Sequence, residues 1–353
     1  MKAMVLAAGL GTRLRPYSLQ RPKPLFPVLD IPLLTHTLTQ LRRGGAEEIV
    51  VNAHHLREQI KAMLQGQGDV RVQMEVLELG TGGGLRLAQN HFGGAPFLAV
   101  NGDIVHDLDL AAAYRSHCAS GAEVTMVLHD CPRFNNVRVN GEGRITGFAG
   151  AAGEGERLLA FTGVQVINPA VLSLIPAGVF YNIIDCYEAL LKSGGAIQAL
   201  VVSGHFWTDM GTPADYLQLH EDILLHGRLP GFFFRHGDIP FSLGKDAKVG
   251  AGVSFQDWVA IGHGATIGAG ASLARVVVWD GARVAPGSIV TDTIISGGDV
   301  PDHGGGHEIA KNTEQAVTGG RRLRQAGRRC VHLVREPDRS PEDVVPCDRL
   351  RGD

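Results

Sequence analysis

Cysteine is scarce in this chain, with five in 353 residues: Cys118, Cys131, Cys186, Cys330 and Cys347. The number is odd and no pair has C-x-x-C spacing, so neither a disulfide framework nor a zinc site is expected. Such usage points to reduced thiols in a cytoplasmic protein. Aromatic residues are few, at 6%, and no apolar run approaches the ~18–20 residues needed to cross a bilayer. The opening MKAMVLAAGLG has one lysine and a short apolar run, but no A-x-A cleavage site follows. It reads as a first buried strand and not as a signal peptide. An excess of positive charge is also missing: the formal net charge is −3, which leaves no nucleic-acid footprint. Secreted, membrane and nucleic-acid-binding classes are thereby disfavoured.

Glycine, in contrast, is abundant, at 47 residues, about 13% against a usual ~7%. Eleven of these lie between Gly244 and Gly298. There Ile261, Ile267 and Leu273 are six residues apart, two of them within IGHGAT and IGAGAS, and Val278, Val284 and Val290 repeat the period. One aliphatic every six residues, followed by glycine, is the signature of a hexapeptide β-helix. The aliphatic points inward at each turn and the glycine permits the corner. A flexible linker would lack periodic branched aliphatics. The phase breaks at Val253/Val259 and at Val276–Asp280, so a short stack of about two to four coils is expected. Its aliphatic edges would pack against a copy of itself, which predicts a homo-oligomer.

Residues 1–228 follow a different pattern. The strand-like runs MVLAAG, EEIVVN, VQMEVLE, FLAVNGD and VTMVLH alternate with helical spacings at Leu33/Leu34/Leu38/Leu41, Leu56/Ile60/Leu64 and Leu108/Leu110/Ala113/Tyr114. This alternation implies an α/β domain with a mainly parallel sheet. From Lys311 onward, ten basic and seven acidic residues form a +3 tail on a −6 body, with Arg321, Arg322, Arg324, Arg328 and Arg329 clustered. The expected division is therefore a first domain over 1–228, the β-helix over 240–300 and a solvated, disordered tail over 301–353. A tether for an anionic partner and a short docked helix are the alternatives for that tail.

The first strand–helix connection, LAAGLGTRLRPYSLQRPKPLFPV over residues 6–28, carries the chemistry. Gly9 and Gly11 let backbone N–H groups approach an anion, and Arg13 offers a bidentate phosphate fork. Leu14 stands where a dinucleotide fingerprint needs its third glycine, and no Gly-Lys-Ser/Thr follows as a Walker loop requires. Pro16, Pro22, Pro24 and Pro27 forbid an immediate helix, which predicts a long ordered loop with Lys23 fixed between two prolines.

This segment resembles the signature loop, G-x-G-T-R-(x)n-P-K-P, of sugar-1-phosphate nucleotidylyltransferases. The resemblance covers residues 1–300, since many members carry a left-handed β-helix after the catalytic domain. It implies a Rossmann-like nucleotidyltransferase domain with a mainly parallel sheet, followed by a short left-handed β-helix of hexapeptide repeats. The activity it implies joins an NTP to a sugar 1-phosphate and releases pyrophosphate. NGDIVHDLDL and HFWTDMGTPADY resemble the family's two acidic motifs, which makes Asp103 and Asp209 the ligands of Mg²⁺. Arg13 and Lys23 become the catalytic residues. Nucleotide contacts are expected at Leu6, Ala7, Ala8, Gly9, Gly11, Thr12, Arg13, Glu78, Gly82, Gly83, Asn101 and Gly102. ELGTGGGLRLA (78–88) resembles the loop over base and sugar, with Gly82, Gly83 and Gly84 approaching the base closely. Gly163 is expected at the sugar phosphate.

Two nucleotides stay open. The TGGG stretch looks like that of N-acetylmuramate-1-phosphate uridylyltransferases, implying UTP, whereas the overall layout looks like mannose-1-phosphate guanylyltransferases, implying GTP. One departure bears on the acceptor. Many members hold the sugar phosphate with the lysine of a Phe-x-Glu-Lys-Pro segment, and ITGFAGAAGEGE (145–156) has neither that Lys nor that Pro. Arg133 or Arg138 is then expected to substitute. His54 and His55 are read as caps of the following helix. A catalytically silent sugar-nucleotide-binding regulatory subunit is the alternative function, and a hexapeptide acyltransferase with His263 in a repeat corner is a more remote one.

Overall fold

Burial on both faces of KAMVL makes β1 (Lys2–Leu6) a central strand: Ala3 and Val5 face one apolar core and Met4 the other, following the two-residue period of a strand. The computed structural model describes residues 1–228 and 239–297, together with the backbone of 330–332. The tail expected over 301–353 otherwise lies outside the described residues. Along the chain follow β2 (Pro27–Val28), β3 (Ile31–Pro32), α1 (Leu33–Arg43), β4 (Glu48–Ala53), α2 (Arg57–Leu64), β5 (Val70–Met74) and α3 (Gly80–Phe92). Next come β6 (Phe97–Asn101), β7 (Ile104–His106), α4 (Leu110–Ser120), β8 (Val124–His129), β9 (Val137–Val139), β10 (Ile145–Phe148) and β11 (Arg157–Ile167). Then follow α5 (Ile183–Lys192), β12 (Ile197–Val201), β13 (Trp207–Asp209) and α6 (Pro213–Leu224).

The main sheet runs β12-β8-β11-β6-β1-β4-β5, with β9 and β10 added beside the first residues of β11. β1 is parallel to β4 and β6, β4 to β5, and β8 to β12, while β11 alone among these seven runs antiparallel to its neighbours. The expected mainly parallel α/β architecture is thus present. Apolar stripes from α1, α2 and α4 (Leu34, Leu38, Ile60, Leu64, Ala113) cover one face of the sheet. Those from α3 and α5 (Leu85, Ala88, Phe92, Cys186, Tyr187) cover the other. A sheet buried on both faces needs strands apolar on both sides, which is why β6 and β8 read as continuous hydrophobic runs.

Two local expectations change. The run at 72–78 stops pairing at Met74, and Val76 and Leu77 are exposed. The segment at 78–88 is not an open loop but the start of α3, because Gly82, Gly83 and Gly84 allow a helix to approach neighbouring chain without side chains in the way.

The described residues divide into two compact units, the second made of 27–31, 216–228, 239–297 and 330–332. The strands that follow are β14 (Phe241–Leu243), β15 (Lys248–Val249), β16 (Ser254–Ile261), β17 (Thr266–Ile267), β18 (Ser272–Val278), β19 (Arg283–Val284), β20 (Ile289–Ile295) and β21 (Cys330–His332). Phe241 pairs in parallel with Val259 and Val259 with Val276, so the chain returns to the same position every 17 or 18 residues. Ile261, Ile267, Leu273, Val278 and Val284 are buried together. In IGHGAT and IGAGAS the two glycines differ in their surroundings. Gly264 and Gly270 have φ of 62° and 71°. Gly262 and Gly268 instead lie where an added Cβ would meet the backbone at Asp280 and Pro286. Asp257 falls within the first break in period and Arg275 just before the second; both residues, and Asp292 on β20, have positive φ, and Arg275 is ion-paired to both aspartates. Tyr216 and His220 of α6 belong to this unit. Trp279 Nε1 donates to Tyr216 Oη at 3.2 Å, and His220 Nε2 accepts the Leu29 N–H at 3.1 Å.

Candidate active site

Parallel strands present their carboxyl ends on one edge, where an α/β sheet opens into a crevice. Leu6 of β1 stands beside Asn52 of β4 on one side and Asn101 of β6 on the other. Above this row is a cavity of about 410 Å³. Leu6, Ala7, Ala8, Gly9, Gly11, Thr12, Arg13, Lys23, Glu78, Asn101, Gly102 and Asp103 line it. The 6–28 connection is ordered, as its prolines require, and runs through three 3₁₀ turns at Thr12–Leu14, Tyr17–Leu19 and Lys23–Leu25. Gly11 takes a left-handed φ of 62° and packs against Ser18 and Lys23, so a side chain there would be strained.

Asp103 and Asp209, far apart in sequence, are brought together by a small antiparallel pair. Asp209 ends β13 opposite Ile104 of β7, and the Met210 N–H donates to the Asp103 carbonyl. Lys23 lies between them, its side chain only 9% exposed. Its Nζ donates to Asp103 Oδ2 at 2.8 Å and to Asp209 Oδ1 at 3.3 Å. Arg13 ion-pairs with the other oxygen of Asp209 at 3.9 Å. Gly211, also at the cavity wall, leaves room for this contact, since a Cβ there would sit 2.8 Å from Asp209 Oδ2. Burial lifts the Asp209 carboxyl above the usual range, and the charge of Asp103 adds to this against the pull of Lys23 and Arg13. Two carboxylate oxygens within reach of one cationic atom form an all-oxygen donor set of the kind Mg²⁺ takes when substrate phosphates complete its shell. Among the described residues no larger His/Cys/Asp/Glu cluster could hold a metal.

Gly82 and Gly83 are not at the cavity wall. Their N–H groups donate to the Tyr181 carbonyl at 2.9 and 3.2 Å, and a Cβ on Gly83 would lie 2.6 Å from the Val179 carbonyl oxygen. The close approach these glycines permit is to protein backbone. Gly84 faces Asn52 and Glu75 in the same way. Gly163 sits in the irregular stretch of β11 at φ 82°, behind Asn101, where a side chain would collide with Asn101 and Ile104. His54 and His55 do not cap α2, whose N-cap is Leu56. They tie loops instead, through the carbonyls of Glu75 and Ser18.

The cavity wall also includes Asn52, Thr81, Phe180 and Asn182. Asn52 Oδ1 accepts the Ala7 N–H at 2.7 Å and its Nδ2 donates to Glu75 Oε1 at 2.8 Å. Gln73 Nε2 donates to the same oxygen at 3.2 Å. Glu75 is 1% exposed, and burial raises its pKa despite these bonds. Asn52 ends the strand-like run EEIVVN, which brings it to the rim of the pocket. Nothing in the sequence joins Phe180–Asn182 to Thr81, which meets them from a hundred residues away through the Ile183 N–H donating to Thr81 Oγ1 at 3.0 Å.

A doubly covered, mainly parallel sheet with paired cations and aspartates at its carboxyl edge defines a Rossmann-like nucleotide enzyme. The chain belongs to the nucleotidyl transferase family, whose model matches residues 2–225. It is 30% identical over 296 residues, 82% of each chain, to the mannose-1-phosphate guanylyltransferase of Mycobacterium tuberculosis. It is 29% identical over 340 residues, 84% of this chain and 87% of the relative, to the UTP–glucose-1-phosphate uridylyltransferase of Synechocystis. The same fold occurs in a putative glucose-1-phosphate thymidylyltransferase from Bacillus anthracis, at a TM-score of 0.57 and 19% identity over 67% of this chain and 97% of that one. The resemblance to sugar-1-phosphate nucleotidylyltransferases drawn from the sequence is therefore borne out, and the chain is a nucleotidyltransferase enzyme.

Proposed function

We propose that the enzyme transfers a nucleotidyl group from GTP or UTP to a sugar 1-phosphate. The observation that carries this reading is Lys23 bridging Asp103 and Asp209 at the wall of the cavity that the Gly9–Arg13 loop encloses. The names of the two relatives, one a guanylyltransferase and one a uridylyltransferase, keep both nucleotides in view.

Phosphoryl-type transfer needs charge neutralisation and in-line positioning more than covalent help. The backbone N–H groups of Gly11 and Thr12 and the Arg13 fork bind the β- and γ-phosphates, which leave as pyrophosphate. Lys23 turns its ammonium from the aspartates to the α-phosphate as charge builds there. An oxygen of the sugar phosphate forms a new bond to the α-phosphorus while the bond from that phosphorus to the α,β-bridging oxygen breaks. The attacking oxygen is already anionic, so no general base is required. Asp103 and Asp209 are the residues that would hold Mg²⁺, which supplies further neutralisation of phosphate charge.

Further parts of the reading follow from sequence and fold. The 17- to 18-residue return of parallel strands supports a short left-handed β-helix over 240–300. Ile289 on β20 is 83% exposed, which favours association of that element with a second copy. The free thiols of Cys118, Cys131 and Cys186 suit a cytoplasmic setting. The test is pyrophosphate release from the four common NTPs, each paired with mannose 1-phosphate and glucose 1-phosphate. Release with GTP or UTP that Asp209→Asn abolishes is expected. Tight NTP binding without release from any pair would instead favour the silent regulatory subunit.

A further inference from the structure

An acceptor phosphate brings a second anion to a site whose cations, Arg13 and Lys23, already face the nucleotide. A third cation is therefore required on the acceptor side. The strand–loop at 145–156 contains no Lys, Arg or His and supplies none. Of the two arginines that follow β8, Arg138 is directed elsewhere, lying against Gly147 of the β9–β10 pair and toward Glu156.

Arg133 is placed differently. It follows the carboxyl end of β8, which points the same way as the ends of β1, β4 and β6, because β11 is antiparallel to both β6 and β8. It thus rises at the same edge of the sheet as Asp103. Its guanidinium is held in three ways. Nη1 donates to Asp215 Oδ1 at 2.6 Å and Nη2 to Asp215 Oδ2 at 3.2 Å. Its central carbon lies 4.9 Å from the centre of the Phe134 ring. That ring in turn meets Trp207 edge-on at 5.7 Å, and Trp207 begins the strand that ends in Asp209. Asp215 is itself fixed by the Thr212 hydroxyl at 2.8 Å, one residue after the cavity-lining Gly211. The charge of Asp209 reaches Arg133 as well. A guanidinium has five N–H donors, and Asp215 takes two. With the side chain 57% exposed, the rest are open to an incoming oxyanion.

We propose that Arg133, held by Asp215 and Phe134, binds the phosphate of the sugar 1-phosphate. The inference rests on the transferase reading above. A pre-positioned planar fork matches a phosphate in a way that a free surface arginine does not, since the rotamer entropy is already lost.

Initial rates of pyrophosphate release decide the matter, measured on the full chain with the most active pair among GTP or UTP and mannose or glucose 1-phosphate. Arg133→Ala is expected to raise KM for the sugar 1-phosphate by about tenfold or more while changing KM for the NTP by less than about twofold. Arg133→Lys, which keeps the charge but not the fork, should fall between. Asp215→Asn should reproduce part of the effect by loosening the guanidinium. Circular dichroism and thermal melting verify folding, and if Arg133→Ala fails to fold, the Lys and Gln variants carry the comparison. An unchanged acceptor KM in a folded variant of an active enzyme overturns the assignment. If the unaltered chain releases no pyrophosphate from any pair, the transferase reading fails and this assignment falls with it.

Discussion

Asn52 does more than line a cavity. Its amide accepts the Ala7 N–H and donates to the buried Glu75, so two interior groups depend on one side chain. Asn52→Ala should cost roughly 1–3 kcal/mol of stability through those unpaired groups. It should also raise KM for the NTP, because Ala7 and Ala8 form the cavity wall. Denaturant unfolding and initial-rate kinetics measure the two effects, and a variant unchanged in both would show that the network is dispensable. At this scale the sequence is uneven as a guide. Arg13 and Lys23 were legible from residue type and proline placement, and Asp103 and Asp209 through the resemblance of NGDIVHDLDL and HFWTDMGTPADY to two acidic motifs of the family. Glu75 was not, because an acidic residue within a strand-like run such as VQMEVLE usually reads as solvated, and only the fold reveals its burial.

Among the elements, α3 shows how a glycine run can mislead. Glycine permits close approach, but one-dimensional sequence cannot say whether a ligand or another backbone approaches. Here the Val179–Ile183 segment occupies that space, so Gly83→Ala should destabilise the protein by about 1–3 kcal/mol, through overpacking against the Val179 carbonyl. The strands of the second unit permit a sharper comparison. Gly264, at positive φ with open space around it, should accept Asn at a cost below about 1 kcal/mol, since Asn tolerates that region. Gly262, two residues earlier, should accept no side chain, because even a methyl group meets Asp280. Thermal melting of Gly262→Ala beside Gly264→Asn distinguishes the two roles, and equal losses would refute the distinction. The six-residue period was visible in sequence, but this division was not, since both positions are simply glycine. The stacked Asp257–Arg275–Asp292 ladder was legible only as a disturbance of phase.

Across the whole molecule, buried neutral histidines tie stability to pH. Burial pushes His220 down to about 4 and His106 down to about 3. His220 accepts a backbone N–H through Nε2, so its proton sits on Nδ1, donating to the Tyr216 carbonyl. Between pH 6.5 and about 4 the unfolded chain binds a proton at each histidine that the folded chain does not, so stability falls as pH falls through that window. The slope of unfolding free energy against pH should drop by about one proton in His220→Gln, and identical slopes would remove His220 from the account. The bridging position of Lys23 has a separate consequence. The ammonium is an internal counter-ion, so the uncomplexed fold balances its own acidic pair and has no need of a metal to stay folded. Thermal midpoints of the unaltered chain, without nucleotide, should therefore be the same in EDTA and in millimolar Mg²⁺. In Lys23→Ala the two carboxylates lose their resident cation, and Mg²⁺ should then raise the midpoint. Stability would become metal-dependent through the loss of one positive charge.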